Sequence, residues 1–302
     1  MSMGGMPRTD LALEARQLWQ ENTPEAEALP GVRAWEETRA GFPVTTVEVL
    51  DRRGEEALGK PVGRYVTLEL DGLLRRENDA FVRAAEALAE ELRGLLNLEQ
   101  NQTCLVAGLG NRDITPDAIG PGAVDHVLVT RHLKERLPED FAAFRPVSAV
   151  CAGVLGTTGI ESGDLVRAVC GLLRPDCVVA VDALASLSPD RLCRTVQLSD
   201  TGIVPGSGVG NARLALNRES LGVPVIAVGV PTVVDAATLT VDLARRGGVE
   251  LSRGSFGELG NMIVTPRDID KNVRDVAKLI GYALNLALHE GLTVEDVDQL
   301  VN

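Results

Sequence analysis

The strongest constraint on the fold is an alternation, from residue 103 onward, of short apolar runs with segments of helical spacing. The apolar runs are rich in Val, Ile and Ala, and the segments between them repeat apolar residues at the period of a helix. Strand–helix–strand units of this kind build a largely parallel sheet covered by helices on both faces, which is an α/β fold. The predicted strands are 103–108, 146–151, 176–181, 223–228 and 261–265, and the predicted helices are 119–137, 161–173, 233–245 and 267–289.

The chain before residue 103 is predicted to add two strands and two helices. Residues 1–9 are expected to be disordered, and residues 202–210 to form a loop. The sequence has no internal repeat, and 45% of its 302 residues are hydrophobic, which is enough for a substantial core. The predicted strands are 42–50 and 64–70, and the predicted helices are 10–20 and 80–95.

The charge of the chain excludes some classes of partner. It contains 43 acidic and 30 basic residues, for a formal net charge of −13 at pH 7. Nucleic acids and anionic membranes repel such a surface, so neither is expected as a direct partner. The N-terminal residues have no apolar signal-peptide region, and no later run reaches the roughly 18 apolar residues of a membrane span. We therefore expect a cytoplasmic protein.

Cysteine and histidine usage argues against a disulfide framework, a metal site or a cofactor. The five cysteines are odd in number and lack CxxC spacing, so reduced core thiols are expected. His126 and His132 do not have the spacing of metal ligands, and the motif HExxH is absent, so surface or capping histidines are expected. The cysteines are Cys104, Cys151, Cys170, Cys177 and Cys193, and the remaining histidine is His289.

Two aspartates follow apolar strands at positions where α/β sheets have their functional residues, beyond the carboxyl ends of the strands. The strand 103–108 leads into a Gly- and Pro-rich loop that contains Asp117, and the strand 176–181 is expected to end directly on Asp182. If both strands are parallel members of one sheet, the two carboxylates can converge. Such a pair shares a proton, so its charged member can activate water while its protonated member polarises a carbonyl group.

Other interpretations of these aspartates stay open. An aspartate at the end of a strand often only caps the next helix or binds a loop amide. Asp200 and Asp235 also lie near the ends of apolar runs, and they are candidates for a supporting role. Asp113 lies earlier in the loop of Asp117, where it could serve the turn of that loop.

A glycine-rich segment offers a second class of function. Residues 206–210 (GSGVG) could cradle a phosphate group, but they follow a proline turn and lack both the Walker lysine and full GxGxxG spacing. Residues 108–110 (GLG) follow a strand but lack a third spaced glycine, which indicates a tight turn. A Ser-His-Asp triad has no GxSxG motif to support it. A phosphate- or nucleotide-binding regulatory protein is thus the alternative to a hydrolase.

Long motifs carry more information than spacing does. They are RTDLALEA at 8–15, GLGNRDITPDAIGP at 108–121, VLVTRHL at 127–133, FRPVSAV at 144–150, GTTGIESGD at 156–164, VAVDALAS at 179–186, QLSDTGIVPGSGVGN at 197–211, GVPVIAVGVPTVVDA at 222–236 and MIVTP at 262–266. In this order they resemble the germination protease family of spore-forming Firmicutes. So many long matches are specific, and they cover most of the chain.

The resemblance implies an atypical aspartic endopeptidase that degrades small acid-soluble spore proteins during germination. The two catalytic aspartates of the family fall on Asp117 and Asp182 of this sequence. The implied fold is a three-layer α/β/α arrangement on a mixed sheet, similar to that of hydrogenase maturation proteases. The implied assembly is a homotetramer in the cytoplasm of the spore, without metal or cofactor. A maturation protease that recognises a bound metal is a further alternative, which the scarcity of histidine disfavours.

The resemblance also implies a zymogen that removes an N-terminal propeptide by self-cleavage. The matching junction predicts cleavage between Asp10 and Leu11, so that residues 1–10 are the propeptide and residues 11–302 a single α/β protease domain. Thr9 or Asp10 could instead cap the first helix, and both roles could hold at different stages. Between Leu243 and Met262 a short connection replaces a much longer insertion of better-known Bacillus members.

Overall fold

A mixed β-sheet forms the centre of the chain in a computed structural model that describes residues 9–23, 29–99, 101–206, 214–249 and 262–301. Within these ranges the sheet has nine strands. They are β1 Val32–Arg39, β2 Phe42–Val49, β3 Gly63–Glu69, β4 Cys104–Leu109, β5 Val147–Gly153, β6 Cys177–Ser186, β7 Thr195–Ser199, β8 Val225–Asp235 and β9 Ile263–Val264.

Helices connect the strands throughout the described part of the chain. They are α1 Ala12–Asn22, α2 Arg52–Leu58, α3 Asp71–Leu74, α4 Ala80–Leu96, α5 Ile119–Val124, α6 Arg131–Arg136, α7 Leu155–Thr158, α8 Ser162–Leu173, α9 Arg218–Leu221, α10 Ala236–Arg246, α11 Ile269–Leu288 and α12 Val294–Val301. None of them is both long and apolar enough to cross a membrane.

The strand order is β1-β2-β3-β7-β8-β6-β4-β5, and β9 pairs with the end of β8. Strands β8, β6, β4 and β5 are parallel neighbours, as the strand–helix alternation predicts. Strands β1 to β3 form an antiparallel meander that joins the rest through an antiparallel pair of β3 with β7. The carboxyl end of β4 therefore lies beside Val181 of β6, and β6 continues beyond it to Ser186.

Helices pack on both faces of the sheet, so the predicted three-layer α/β/α fold is confirmed. One face is covered by α4, α5, α11 and α12, whose apolar side chains join those of β3, β4, β6, β7 and β8 in the largest core. The opposite face is covered at one end by α8 and at the other end by α1 and α2. The strip between these two covers, over β6, β7 and β8, is where the clefts described below open.

The predicted helix 119–137 is wrong in its middle, because tertiary contacts override its periodicity. Only α5 and α6 are helical, and residues 125–130 run between them without helical structure. The buried side chain of Asn285 on α11 donates to the carbonyl of His126 and accepts from the backbone N–H of Leu128, both at 2.8 Å. These two bonds satisfy backbone groups that a continuous helix would pair internally.

Two predicted strands are too short. Asp182 does not end its strand, because β6 continues to Ser186 by pairing with the second half of β8. Strand β8 likewise runs on past Val228 to Asp235, through the sequence Gly-Val-Pro. The helix that follows β8 consequently begins at Ala236 and not at residue 233.

Several further elements differ from the sequence-based prediction. Strands β1 and β7 and helices α2 and α12 are present in the structure, and the predictions do not include them. The first helix begins at Ala12, and Leu11 is its N-cap residue, so neither Thr9 nor Asp10 caps it. Four of the five cysteines are buried thiols, as expected, and Cys151 is exposed. Residues 1–8 and most of the connection 243–262 lie outside the described residues.

Candidate active site

A cleft of about 260 Å³ opens beyond the carboxyl end of β4 and beside residues 182–185 of β6. Asp117 and Asp182 both line it, so the structure brings these two carboxylates into one site. Asp10 lines the same cleft, which places the predicted propeptide junction beside the two aspartates. The convergence follows from the parallel pairing of β4 with β6, because β4 ends beside Val181 and the loop that follows it reaches the next residue of β6, Asp182.

Asp117 lies in a tight turn that follows β4. The chain leaves the strand through Gly110, whose φ of 102° is accessible to glycine and strained for other residues. It then returns as a 3₁₀ turn over Thr115–Asp117. The backbone N–H of Asn111 donates to Asp117 Oδ2 at 2.7 Å, and a methyl group on Gly110 would overlap the carbonyl of Asp117. The loop thus fixes both the main chain and the carboxylate of Asp117.

A β-bulge in β8 braces this turn from the other side. Leu184 of β6 pairs with Pro231 and Ala185 pairs with Val233, so Thr232 is the extra residue. Bulges re-aim side chains, and proline is tolerated there because the ladder is already interrupted. Thr232 is 0% exposed, and its hydroxyl donates to the carbonyl of Pro116 at 2.6 Å. The residue next to Asp117 is therefore tied to β8.

Asp182 lies within β6 and is 5% exposed. Its Oδ1 accepts a 2.9 Å hydrogen bond from the backbone N–H of Ala183, and its register partner on β8 is Gly229. The side chain shares its face of the sheet with the small or apolar neighbours Ala180 and Leu184.

The N-terminal segment is docked on β6 beside the cleft. Strand β4 ends at Leu109, and its register with β6 extends only to Val181. The backbone N–H of Asp10 donates to the carbonyl of Ala185 at 3.0 Å, and Asp10 Oδ2 accepts from the backbone N–H of Ala185 at 2.9 Å. Asp10 therefore binds backbone groups of β6 beyond the part that pairs with β4.

The residues after Asp10 anchor this segment in the core. Leu11 and Ala12 are both 0% exposed. Glu14, 2% exposed, accepts from the backbone N–H groups of Leu187 at 2.7 Å and Ser188 at 3.0 Å, and it also accepts from the hydroxyl of Thr9. The start of α1 is thus fixed against the end of β6.

Two side chains contact the backbone on both sides of the Asp10–Leu11 bond. Lys60 Nζ donates to the carbonyl oxygens of Thr9 at 3.0 Å and Asp10 at 2.9 Å. Gln197 Nε2 donates to the carbonyl of Asp10 at 3.3 Å, and Gln197 Oε1 accepts from the backbone N–H of Ala12 at 2.8 Å. Burial lowers the pKa of the Lys60 ammonium, and the nearby charges of Asp10 and Glu14 oppose that shift.

A second groove of about 800 Å³ continues from the cleft across the same face of the sheet. Asp10, Leu184 and Val204 line both spaces, so the groove and the cleft are contiguous. The floor of the groove is formed by strand residues of β3, β6, β7 and β8, and its wall includes Trp19 of α1. An extended peptide could lie along this face and reach the two aspartates.

The other aspartates named from the sequence have structural contacts outside the cleft. Asp235 caps α10 by accepting from the backbone N–H of Thr238 at 2.8 Å. Asp200 is exposed and accepts from the backbone N–H of Arg64 at 2.8 Å, which ties the end of β7 to β3. Asp113 is exposed, and its backbone N–H donates to Asn111 Oδ1, which closes the turn. None of the three is among the described residues that line the cleft.

The described residues give little support to the alternative functions, phosphate binding and metal binding. Gly206 lines the cleft, whereas residues 207–210 of the glycine-rich segment lie outside the described part of the chain. Among the described residues, no three His, Cys, Asp or Glu side chains are grouped so that they could hold a metal ion. His289 follows α11 and is 1% exposed, so it is buried and not at the surface.

Reasoning from the sequence missed Lys60, Gln197 and Thr232. Lys60 follows α2 in a Gly-Lys-Pro turn, and nothing local distinguishes it from an ordinary surface lysine. Gln197 stands in the motif QLSDTGIVPGSGVGN, which could have indicated a functional position. The signal for Thr232 was the proline before it, because a proline within an apolar strand indicates a bulge.

Comparison with known proteins gives one consistent family. A family model described as germination protease matches residues 12–245. Proteins named germination protease are similar over nearly the full length. The one from Caldanaerobacter subterraneus subsp. tengcongensis is 45% identical over 322 residues, covering 98% of each chain. The one from Clostridium tetani is 38% identical and covers 98% of this chain and 99% of the relative. The one from Bacillus cereus is 38% identical and covers 93% of each chain.

A solved structure is also similar in part. It is the [NiFe] hydrogenase maturation protease HycI from Thermococcus kodakarensis KOD1, which covers 64% of this chain and 98% of its own. The sequence identity is 17% and the TM-score is 0.36, values too low to carry a conclusion about the site.

Proposed function

This chain belongs to the germination protease family, and on that basis we propose that it is an endopeptidase whose catalytic pair is Asp117 and Asp182. The observation that carries this proposal is that both carboxylates line one cleft, at the point where β4 ends beside the interior of its parallel neighbour β6. The backbone N–H of Asn111 holds the carboxylate of Asp117 there, and the backbone N–H of Ala183 holds that of Asp182. Two fixed carboxyl groups are sufficient for acid–base hydrolysis of a peptide bond.

In the proposed reaction the two carboxyl groups share one proton. The ionised member takes a proton from water, the water oxygen bonds to the carbonyl carbon, and the protonated member gives its proton to the carbonyl oxygen. One hydroxyl proton of the resulting intermediate then returns to the pair, and the carboxyl that holds the proton from water protonates the amide nitrogen. The C–N bond breaks, a carboxylic acid and an amine leave, and the pair regains its starting state.

The proposed substrates are small acid-soluble spore proteins, which the enzyme degrades in the spore cytoplasm at germination. The name shared by the relatives supports this setting. The groove of about 800 Å³ that continues from the cleft supports an extended, unfolded substrate. The proposed assembly is a homotetramer.

The proposed maturation step is self-cleavage between Asp10 and Leu11. Its support is that Asp10 lines the cleft together with both aspartates while its backbone pairs with Ala185 of β6. The uncleaved N-terminal segment thereby occupies the place that a substrate needs, which is the arrangement expected of a zymogen.

The test is cleavage of a recombinant small acid-soluble spore protein by a chain that begins at Leu11, followed by mass spectrometry. We expect Asp117→Asn and Asp182→Asn each to lower the cleavage rate about 1000-fold or more, because each removes one member of the proton-sharing pair. Asp113→Asn is the matched control, since this aspartate is exposed in the same loop, and it should cleave as the wild type does. Full activity in Asp117→Asn or Asp182→Asn would rule out the pair.

A further inference from the structure

The Asp10–Leu11 peptide bond is braced from both sides by two side chains that are not part of the carboxyl pair. Lys60 Nζ lies 2.9 Å from the carbonyl oxygen of Asp10, and Gln197 Nε2 lies 3.3 Å from the same atom. Gln197 Oε1 accepts from the backbone N–H of Ala12, one residue beyond the bond. A single amide side chain therefore contacts the backbone before and after the bond.

Both residues are held rigidly. Lys60 follows the C-cap of α2, where Gly59 has a φ of 62° and turns the chain sharply, and Pro61 follows it directly. Gln197 is 7% exposed in the middle of β7, paired with Thr67 of β3 and Gly229 of β8. Strand β7 places the Gln197 donor more accurately than a loop would, and Pro61 restricts the backbone of Lys60 in its turn.

The atom that they contact is the one whose charge changes during hydrolysis. When water adds to a peptide bond, negative charge develops on the carbonyl oxygen, and fixed donors aimed at that oxygen stabilise it. An ammonium group in a shielded position stabilises such charge more than it would in water. Lys60 therefore supplies a charged donor, and Gln197 a neutral one, at the carbonyl of Asp10.

Other contacts already anchor the segment. Glu14 binds the backbone of Leu187 and Ser188, Asp10 pairs with Ala185, and Leu11 is fully buried. The segment would stay docked without Lys60. The contact of Lys60 with the carbonyl of Asp10 is thus not needed to keep the segment docked. Its main effect is to orient that carbonyl.

We infer that in self-cleavage Lys60 and Gln197 hold the carbonyl oxygen of Asp10 and stabilise its negative charge, in place of the proton that the carboxyl pair gives to this oxygen in other substrates, while the pair takes a proton from water and passes it to the amide nitrogen. This inference rests on the proposed self-cleavage between Asp10 and Leu11. It assigns roles to two residues outside the pair of aspartates. The uncleaved chain thus contains its own hydrogen-bond donors to the carbonyl of the Asp10–Leu11 bond.

The test follows self-cleavage of the full chain by mass spectrometry, as the rate at which the N-terminus Leu11 appears. We expect Lys60→Met to slow this rate about 100-fold and Gln197→Met about 10-fold, because each removes a donor to the carbonyl oxygen. Lys60→Arg keeps a charged donor and should recover most of the rate. Thermal unfolding, measured in parallel, should change little in these variants.

Lys134→Met is the matched control. Lys134 Nζ also donates to two backbone carbonyls, those of Ala142 at 3.1 Å and Phe144 at 2.7 Å, but it lies away from the cleft. This variant should cleave itself at the wild-type rate. A slowing equal to that of Lys60→Met would show that loss of any such brace has the same effect, and it would overturn the inference.

The outcomes separate this inference from the proposed function. If the wild type never cuts between Asp10 and Leu11, the proposed self-cleavage fails and the inference fails with it. If the wild type cuts there and Lys60→Met cuts as fast or faster, only the inference is overturned, and faster cutting would mean that Lys60 restrains the bond. Should Lys60→Met not fold, Gln197→Met decides alone, and a wild-type rate in it overturns the inference.

Discussion

Thr232 is the residue that links the turn of Asp117 to β8. Its buried hydroxyl donates to the carbonyl of Pro116. We expect Thr232→Val, which keeps the shape of the side chain, to lower the free energy of unfolding by about 1–3 kcal/mol, because the carbonyl of Pro116 loses its partner. The rate of peptide cleavage should fall as well, since Asp117 follows Pro116 directly. Urea unfolding and cleavage kinetics measure the two effects.

Thr240→Val is the control for this prediction. Thr240 also donates to a backbone carbonyl, that of Ala236 at 2.8 Å, but it is exposed on α10. Water can replace that bond, so stability and cleavage should stay near wild-type values. A Thr232→Val variant with lowered stability and an unchanged cleavage rate would mean that the turn holds Asp117 without the help of β8.

At this scale the sequence identifies residues by their place relative to strands. Asp117 and Asp182 can be named because strand ends are where α/β sheets carry function, and both line the cleft. Lys60 cannot be named, since its contact with Asp10 depends on how a turn after α2 meets the N-terminal segment. Contacts of that kind arise from packing between distant parts of the chain, and no local pattern encodes them.

Helix α5 packs closely against the end of β4 and the middle of β6. A methyl group on Gly120 would overlap the backbone of Leu109 and lie 2.5 Å from the carbonyl oxygen of Val181. We expect Gly120→Ala to lower the free energy of unfolding by about 3 kcal/mol, because backbone atoms on both strands cannot move aside cheaply. Urea unfolding of the variant measures the loss.

Gly94→Ala is the opposite case and serves as the control for an alanine in a helix. Gly94 is exposed on α4, and a methyl group there would meet nothing within 4 Å. Alanine favours helix over glycine, so this variant should gain up to about 1 kcal/mol. An equal effect of the two substitutions would contradict the close packing at Gly120.

Elements with long, regular patterns are predicted well from the sequence, and elements shaped by partners are not. Helices α4 and α11 lie within two residues of their predicted bounds. The predicted helix 119–137 breaks because Asn285 binds the backbone of His126 and Leu128. Strand β8 extends beyond its predicted end because a bulge accommodates Pro231.

The stability of the whole molecule should depend on pH through His289. Burial, together with the charge of the neighbouring Arg145 guanidinium, lowers the pKa of this histidine to about 4 in the folded chain. In the unfolded chain the pKa is about 6.5, so the unfolded state binds more protons between these values. The free energy of unfolding should therefore fall as pH decreases from about 6.5 to about 4, by on the order of 3 kcal/mol in total.

Urea unfolding of His289→Met between pH 4 and pH 7 tests this dependence. Methionine does not titrate, so the acid-dependent loss of stability should shrink relative to the wild type. His132→Met, at an exposed position, controls for removal of a histidine. If His289→Met loses as much stability on acidification as the wild type does, the loss comes from other groups.

At the scale of the molecule, the layer architecture is predictable from the sequence and the strand order is not. Alternating strands and helices predict a sheet with two covered faces, and that prediction is confirmed. The antiparallel pair of Tyr65–Glu69 with Thr195–Ser199 joins two distant parts of the chain. Its register depends on the complete sheet, and the five alternating polar and apolar residues of β7 do not encode which strand they pair with.

That pairing of β3 with β7 has a consequence for synthesis of the chain on the ribosome. Residues 63–69 emerge early, and α4 follows soon enough to cover the apolar side chains of β3. The hydrogen-bonding edge of β3, however, has to wait for residues 195–199. At 5–20 residues per second that wait is roughly 10 s. During this time the nascent chain presents an unpaired strand edge, the kind of surface on which aggregation begins. The rate of translation therefore determines how long the chain is exposed to aggregation through β3.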